Sequence, residues 1–282
     1  MKKVNFLLLI LTLLCLWSVN IKAQERYIEL NHNSKILGKE KKLAVILPRD
    51  YTEEKRYPVL YLLHSANGNY LTWHKVDAKL YELSREYELI IVTPDLDTSW
   101  LVDSPVKPES QYESYFIKEL VPFIDTNYST INSYRGRGLA GMSMGGHGAI
   151  VLASKYPELF GVASSMSGVL DLRLLPNTAG KKDVLGEVYQ NPEAWNNNSA
   201  VFLADKIKTA RRRPRIMFDV GLSDYVYDTN LAYHTTLKKL SIDHIFKVFP
   251  GTHDWGYWVS RLPDHLEYHR ENLKKPEIQT EE

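Results

Sequence analysis

The sequence holds one cysteine, Cys15, and it falls within an N-terminal apolar run. Beyond that run there is no thiol, which excludes disulfide staples, a cysteine nucleophile and a zinc–thiolate centre. An excess of either charge is also missing: 35 Lys and Arg face 34 Asp and Glu, a net charge of +1. Such a balance argues against a nucleic-acid partner or an anionic membrane surface. The one basic run, Arg211-Arg212-Arg213, stands before Pro214 and reads as a solvated helix end favoured by the helix dipole. No internal repeat and no second domain is visible.

What is present begins with Lys2 and Lys3, an apolar stretch from Phe6 to Val19 and a short polar end, Asn20 to Ala23. This three-part layout is that of an export signal peptide over residues 1–23, too short to argue for a permanent membrane span; an uncleaved anchor is the alternative. Leu14, rather than a small residue, precedes Cys15, which weakens a lipoprotein reading. Cleavage after Ala23 leaves 24–282 as one α/β domain long enough to bury a full core, with a periplasmic or extracellular destination and no stable membrane span.

Along that domain, Arg26 to Leu30 and Lys42 to Leu47 read as early strands. Pro58 to Leu63 and Leu89 to Val92 are continuous apolar runs, as expected of strands covered on both faces. Helical periodicity fills the interval from Leu71 to Tyr87, and returns with Tyr112, Tyr115, Phe116, Leu120, Phe123 and Ile124, where Pro122 predicts a kink. Further strands are expected at Val162 to Ser167, Pro214 to Val220 and His244 to Phe249, and further helices at Val226 to Leu240 and Tyr257 to Leu273. Strands alternating with helices signal a doubly wound, mostly parallel sheet with helices on both faces. Periodicity is lost over 170–198, which reads as a cap-like insertion or a plain surface excursion. Residues 274–282 read as a polar tail.

The chemistry centres on Gly141-Met142-Ser143-Met144-Gly145-Gly146-His147-Gly148. An apolar strand-like run leads into it and a helix-like run leads out, the context in which Gly-x-Ser-x-Gly presents a nucleophile on a sharp turn. Backbone N–H groups at the start of the following helix, that of Met144 foremost, point to where an oxyanion would form. A serine needs a base to take its proton and an acid to hold that base. Asp224 follows one late strand and His253 follows the next, in the order serine, acid, histidine. Asp219 competes with Asp224 but lies within its strand, where a structural carboxylate is more natural. His147 reads as a packing residue, and His64 as a brace for the oxyanion loop. His265 and His269 are one helical turn apart, yet His-Leu-Glu-Tyr-His is not the His-Glu-x-x-His of a zinc helix, and an exposed helix face is expected. Trp73, Trp100, Trp255 and Trp258 flank the strand ends, where their rings suit sugar faces or a phenolic acyl group.

Four segments in order, Leu62 to Trp73, Gly141 to Ala149, Gly221 to Asp224 and Pro250 to Trp258, resemble those of the esterase D or "putative esterase" family of α/β-hydrolases. That family includes feruloyl and acetyl esterases, tributyrin esterases, S-formylglutathione hydrolases and mycolyltransferases. The resemblance implies an α/β-hydrolase fold with Ser143 as nucleophile, Asp224 as acid, His253 as base, and no metal or organic cofactor. One departure stands out: the family has His-Gly where this chain has His64-Ser65. A side chain at 65 narrows the backbone freedom of the loop that supplies the second oxyanion donor, expected from Ser65 or Ala66. An export signal favours an esterified carbohydrate over a cytosolic thioester, so the expected activity is removal of acetyl or feruloyl groups from plant-type polysaccharide. An acyltransferase with the same triad and a noncatalytic carbohydrate-binding protein are the alternatives.

Overall fold

The computed structural model describes residues 27–76 and 79–278; the export signal expected at 1–23 lies outside the described residues, as do 279–282. The chain opens with a hairpin of β1 (Ile28–Ser34) and β2 (Lys39–Ile46), turned by Gly38 at φ 64°. Both strands are longer than the apolar pattern suggests, because their outer residues are polar and belong to a sheet edge. There follow β3 (Lys55–Arg56), β4 (Val59–Leu63), β5 (Ile90–Pro94), β6 (Arg137–Met142), β7 (Val162–Met166), β8 (Arg215–Gly221), β9 (Ile245–Phe249) and β10 (Glu277–Ile278).

Eight of these form one sheet in the order β1-β2-β5-β4-β6-β7-β8-β9, antiparallel across β1, β2 and β5 and parallel from β5 to β9. This is the mostly parallel α/β-hydrolase arrangement. Within the stretch expected as a polar tail, β10 pairs antiparallel with β3, Glu277 opposite Arg56 and Ile278 opposite Lys55.

Side chains of a strand alternate between faces, and β4 shows what each face meets. Val59, Tyr61 and Leu63 join the core that also holds Ile150, Leu203 and Leu237, whereas Leu60 and Leu62 join Trp73, Leu80, Leu262 and Leu266. The first face is thus covered by α5 (Met144–Lys155), α8 (Ala200–Thr209) and α9 (Tyr227–Lys239), together with the turns of α3 (Tyr112–Tyr115) and α4 (Val121–Asn127). The second is covered by α1 (Thr72–Val76), α2 (Lys79–Tyr87) and α10 (Trp255–Asn272). Burial on both sides is why β4 and β5 read as continuous apolar runs.

Pro122 lies inside a continuous helical stretch: Tyr115, Phe116, Leu120 and Val121 all have right-handed helical backbone, and a π-helical segment, Phe116–Leu120, runs from α3 into α4 just before the proline. The wider π turn accommodates a nitrogen that cannot donate to the helix.

The stretch 170–198 folds as a 3-10 turn at Leu172–Leu174, α6 (Lys181–Leu185) and α7 (Pro192–Asn197). Leu172, Val184, Leu185 and Trp195 pack with Trp100, Met144, Val220 and Val226 in a third apolar cluster, at the carboxyl ends of the parallel strands. Lys181 is buried there, its Nζ 4.4 Å from the Trp100 ring centroid and 2.5 Å from Thr178 Oγ1. Sequence periodicity misses this segment because its helices are of five and six residues, too short to show a repeat.

Candidate active site

Ser143 stands between β6 and α5 with φ 52° and ψ −116°, a conformation that costs a non-glycine residue roughly 1–3 kcal/mol. Its N–H bonds the Met166 carbonyl of the neighbouring strand and its carbonyl accepts from His147 N–H, each at 2.9 Å, so the turn is held from both sides. Glycine is required where strand and helix cross: a Cβ on Gly145 would lie 2.4 Å from the Leu63 carbonyl oxygen, and one on Gly141 would lie 2.5 Å from Gly145. The pattern therefore serves close backbone approach and not flexibility.

β8 and β9 deliver the other two groups on adjacent loops. Leu222 N–H bonds Phe249 O at 2.8 Å and Ser223 N–H bonds Gly251 O at 3.0 Å, so the two loops are laced together by backbone. The side chain of Asp224 is fully buried and takes Val226 N–H at 2.9 Å. Its two oxygens each lie 3.0 Å from His253 Nδ1, and His253 Nε2 lies 2.9 Å from Ser143 Oγ. A carboxylate only accepts, so Nδ1 carries the proton and Nε2 is left to accept from the serine hydroxyl. The imidazole sits between two rings, Tyr225 at 4.4 Å and Trp258 at 4.9 Å and perpendicular.

The elements expected to meet an oxyanion, the first turn of α5 and the loop after β4, lie beside Ser143. Met144 is the first residue of α5, so its N–H has no intrahelical acceptor. In the facing loop His64 is buried and neutral, its basicity lowered by desolvation. Its Nε2 accepts from Leu96 N–H at 2.9 Å, which leaves Nδ1–H to donate to the Ser65 carbonyl at 2.7 Å. A backbone amide thereby fixes the tautomer, and the carbonyl so held orients the peptide that joins Ser65 to Ala66. Ser65 is not among the residues of positive φ; the left-handed step of this loop is at Asn67, φ 61°. Asparagine tolerates that region better than most side chains.

The tryptophans divide. Trp73 and Trp100 are each 1% exposed, with indole N–H groups on the carbonyls of Leu63 and Ala179. Neither has a face to offer a ligand, because the apolar clusters on either side claim both; their expected substrate role is corrected to a packing one. Trp258 is 5% exposed and packs on His253, while Trp255 is 40% exposed and stands edge-on to both Trp73 and Trp258. Tyr225, 54% exposed, is the rim residue missed in the sequence. Its position directly after the acid was the available signal.

Two further expectations resolve differently. Asp219 is the structural carboxylate of its strand, taking Tyr257 OH at 3.0 Å, His265 Nε2 at 2.9 Å and Arg261 Nε at 3.4 Å. His265 and His269, expected on an exposed face, are fully buried, since α10 lies flat across the sheet and turns that face inward. His269 Nε2 meets Ser164 Oγ at 2.9 Å, and burial lowers its pKa to about 3. Among the described residues no cluster of three or more His, Cys, Asp or Glu could hold a metal ion, and no helix is long and apolar enough to cross a membrane. His147 is the packing residue expected, buried with Nδ1 2.9 Å from Val169 O.

A serine, an imidazole and a carboxylate are so joined at the carboxyl ends of the parallel strands. The family described as "Putative esterase" matches residues 34–269. The chain belongs to this putative esterase family. As an esterase it is an ester hydrolase, and its relatives carry that activity in their names. It is 26% identical over 265 residues to an acetyl esterase of Caldicellulosiruptor saccharolyticus, covering 85% of this chain and 96% of that protein. Among solved structures, it is similar to a ferulic acid esterase with a TM-score of 0.74 and 25% identity, covering 88% of this esterase and 98% of that chain. It also shares its fold with the fluorophosphonate-binding serine hydrolase F of Staphylococcus aureus, at a TM-score of 0.76 and 24% identity, covering 86% and 98% of the two chains.

Proposed function

We propose that the chain is an exported serine esterase that removes acetyl or feruloyl groups from plant-type polysaccharide or its fragments. The observation that carries the mechanism is the unbroken hydrogen-bonded line from Ser143 Oγ through His253 to Asp224. In this reading Ser143 Oγ attacks the ester carbonyl carbon while His253 Nε2 takes the hydroxyl proton, and the new alkoxide is met by the N–H of Met144 and an N–H from Ser65 or Ala66. Collapse breaks the bond to the alcohol oxygen, which leaves with the proton from His253. Water then attacks the acyl-serine, gives its proton to the same nitrogen, and releases the acid as Ser143 recovers its hydrogen.

The acetyl and feruloyl groups are supported by the names of the acetyl esterase and ferulic acid esterase to which the chain is similar, and the carbohydrate by the export signal expected at 1–23. The exposed rings of Trp255 and Tyr225 beside the imidazole suit a sugar or an aromatic acyl group. The experiment is a panel of acetylated and feruloylated xylooligosaccharides read by mass spectrometry, with p-nitrophenyl acetate as a general substrate and Ser143→Ala as control. Loss of the acyl mass from the sugars, absent with Ser143→Ala, supports the reading; hydrolysis of p-nitrophenyl acetate alone would leave the esterase and remove the polysaccharide. Signal cleavage is checked by the N-terminal residue of the protein recovered from the periplasm or medium, expected at Gln24.

A further inference from the structure

The triad occupies the carboxyl ends of the parallel strands; a different surface lies at their amino ends. There a cavity of about 400 Å³ is lined by Tyr134, Arg135, Arg213, Arg215, Asn272 and Lys274, among others, and among the described residues no acidic side chain lines it. Four stretches distant in the chain build it: the turn before β6, Gly161 before β7, the residues leading into β8, and the end of α10 with the residues after it. Arg212 adds a fourth guanidinium, 4.5 Å from the Tyr134 ring centroid. β8 is seven residues long, so Arg215 and the triad loop are separated by roughly 20 Å of strand.

These arginines are held in place by neutral groups. Arg135 Nε donates to Tyr134 OH at 3.0 Å, Arg213 Nη2 to Lys208 O at 2.7 Å and Arg215 Nη1 to Asn272 Oδ1 at 2.5 Å. Among the described residues the arginine ion pairs belong to Arg137, Arg173, Arg261 and Arg270, and to none of these four. The phenol of Tyr134 is lowered first by the hydrogen bond from Arg135 and then by the charges of Arg135 and Arg212. A chain of nearly zero net charge has thus gathered, around one concavity, guanidinium groups that have no ion-pair partner among the described residues. Arg211-Arg212-Arg213 reads as a plain helix end only while Arg135 and Arg215 are out of view.

From this arrangement we infer that the cavity around Arg135, Arg212, Arg213 and Arg215 is a second binding site, for an acidic oligosaccharide bearing carboxylates on several of its sugars. Guanidinium forks match carboxylates in bidentate geometry, and four of them call for more than one negative charge on the ligand. A concavity suits a chain that enters it better than a flat bilayer. Nucleic acid would need a free ring to stack on, and Arg212 already covers Tyr134. The choice of a carbohydrate rests on the polysaccharide reading of the active site; the cationic cavity does not. Such a site would tether the enzyme to a polymer by one pole while the other pole acts on esters.

The test is calorimetric titration of the full chain carrying Ser143→Ala with trigalacturonate, and with xylotriose as the uncharged control. Saturable binding of trigalacturonate at one site, absent with xylotriose and weakened at least about tenfold by Arg213→Glu, is expected, with the affinity falling as salt rises. Arg213→Glu in the otherwise native chain should cleave p-nitrophenyl acetate as the parent does. Should that variant fail to fold, Arg135→Ala with Arg213→Ala replaces it. No saturable binding of trigalacturonate, or binding that ignores these substitutions, overturns the site. So does binding of phosphatidylglycerol vesicles or single-stranded RNA through the same arginines where trigalacturonate is silent. Because the titration needs no turnover, its failure is separate from any failure of the esterase reading.

Discussion

Both carboxylate oxygens of Asp224 lie 3.0 Å from Nδ1 of His253, so the imidazole is held symmetrically and in one tautomer. Asp224→Asn replaces an acceptor with an amide that can donate, and Nε2 would then carry the proton. We expect kcat on p-nitrophenyl acetate to fall about 10⁴-fold with little change in KM. A loss under tenfold would remove Asp224 from the triad.

Asp219→Asn is the companion experiment. Its carboxylate serves His265, Tyr257 and Arg261 rather than His253. Breaking a buried network of this kind costs on the order of 3 kcal/mol, so denaturant midpoints should drop sharply while kcat of the folded fraction changes far less than in Asp224→Asn. Equal kcat losses in the two variants would contradict the division of roles.

Ser143 keeps its strained backbone for the sake of its hydroxyl. Ser143→Gly removes the hydroxyl and the steric conflict together. The variant should be inactive yet melt about 2–4 °C higher, corresponding to about 1 kcal/mol in a domain of this size. A lower Tm would mean that φ 52° is not strained here.

Trp255 and Trp100 should separate function from packing. Trp255→Ala should raise KM for aromatic acyl esters several-fold with Tm nearly unchanged, given its exposed ring. Trp100→Ala empties a buried position and should cost about 3–5 kcal/mol in chemical denaturation. Reversal of that pattern would restore Trp100 as a substrate contact.

Lys181 gives a pH signature. Burial lowers its pKa to about 8, below the ordinary lysine value of about 10.4. Between these values the unfolded chain binds more protons than the folded one, so stability rises with pH; below about 8 both states are charged and the full cost of burial is present. Wild type should therefore gain stability relative to Lys181→Met as pH climbs from about 8 to about 10, measured by urea unfolding. A difference that is flat with pH would show that Lys181 keeps an ordinary pKa in the fold.

Much of this site is legible in the sequence because the fold dictates where each group must emerge. Gly141 and Gly145 mark a crossing too tight for a side chain, and Asp224 and His253 each follow a recognisable strand. What is not legible depends on contacts between distant segments. Burial of Trp73 and Trp100 follows from neighbours in the other elements, not from their own flanks. His265 and His269 look like a surface pair because a helix with so many charged residues gives little hint of which side meets the sheet. The left-handed step at Asn67 in the loop after β4 is likewise set by the loop as a whole and not by the His64-Ser65 pair alone.

β8 feeds two carboxylates to two histidines: Asp224 to His253 in the loop before α10, and Asp219 to His265 within it. The imidazole of His253 is therefore moored to the strand that leads to Asp224, through a second anchor about three helical turns further along. Catalytic competence and the native state should be lost as one event on heating, and an activity-versus-temperature record should superimpose on the unfolding curve with no earlier decline.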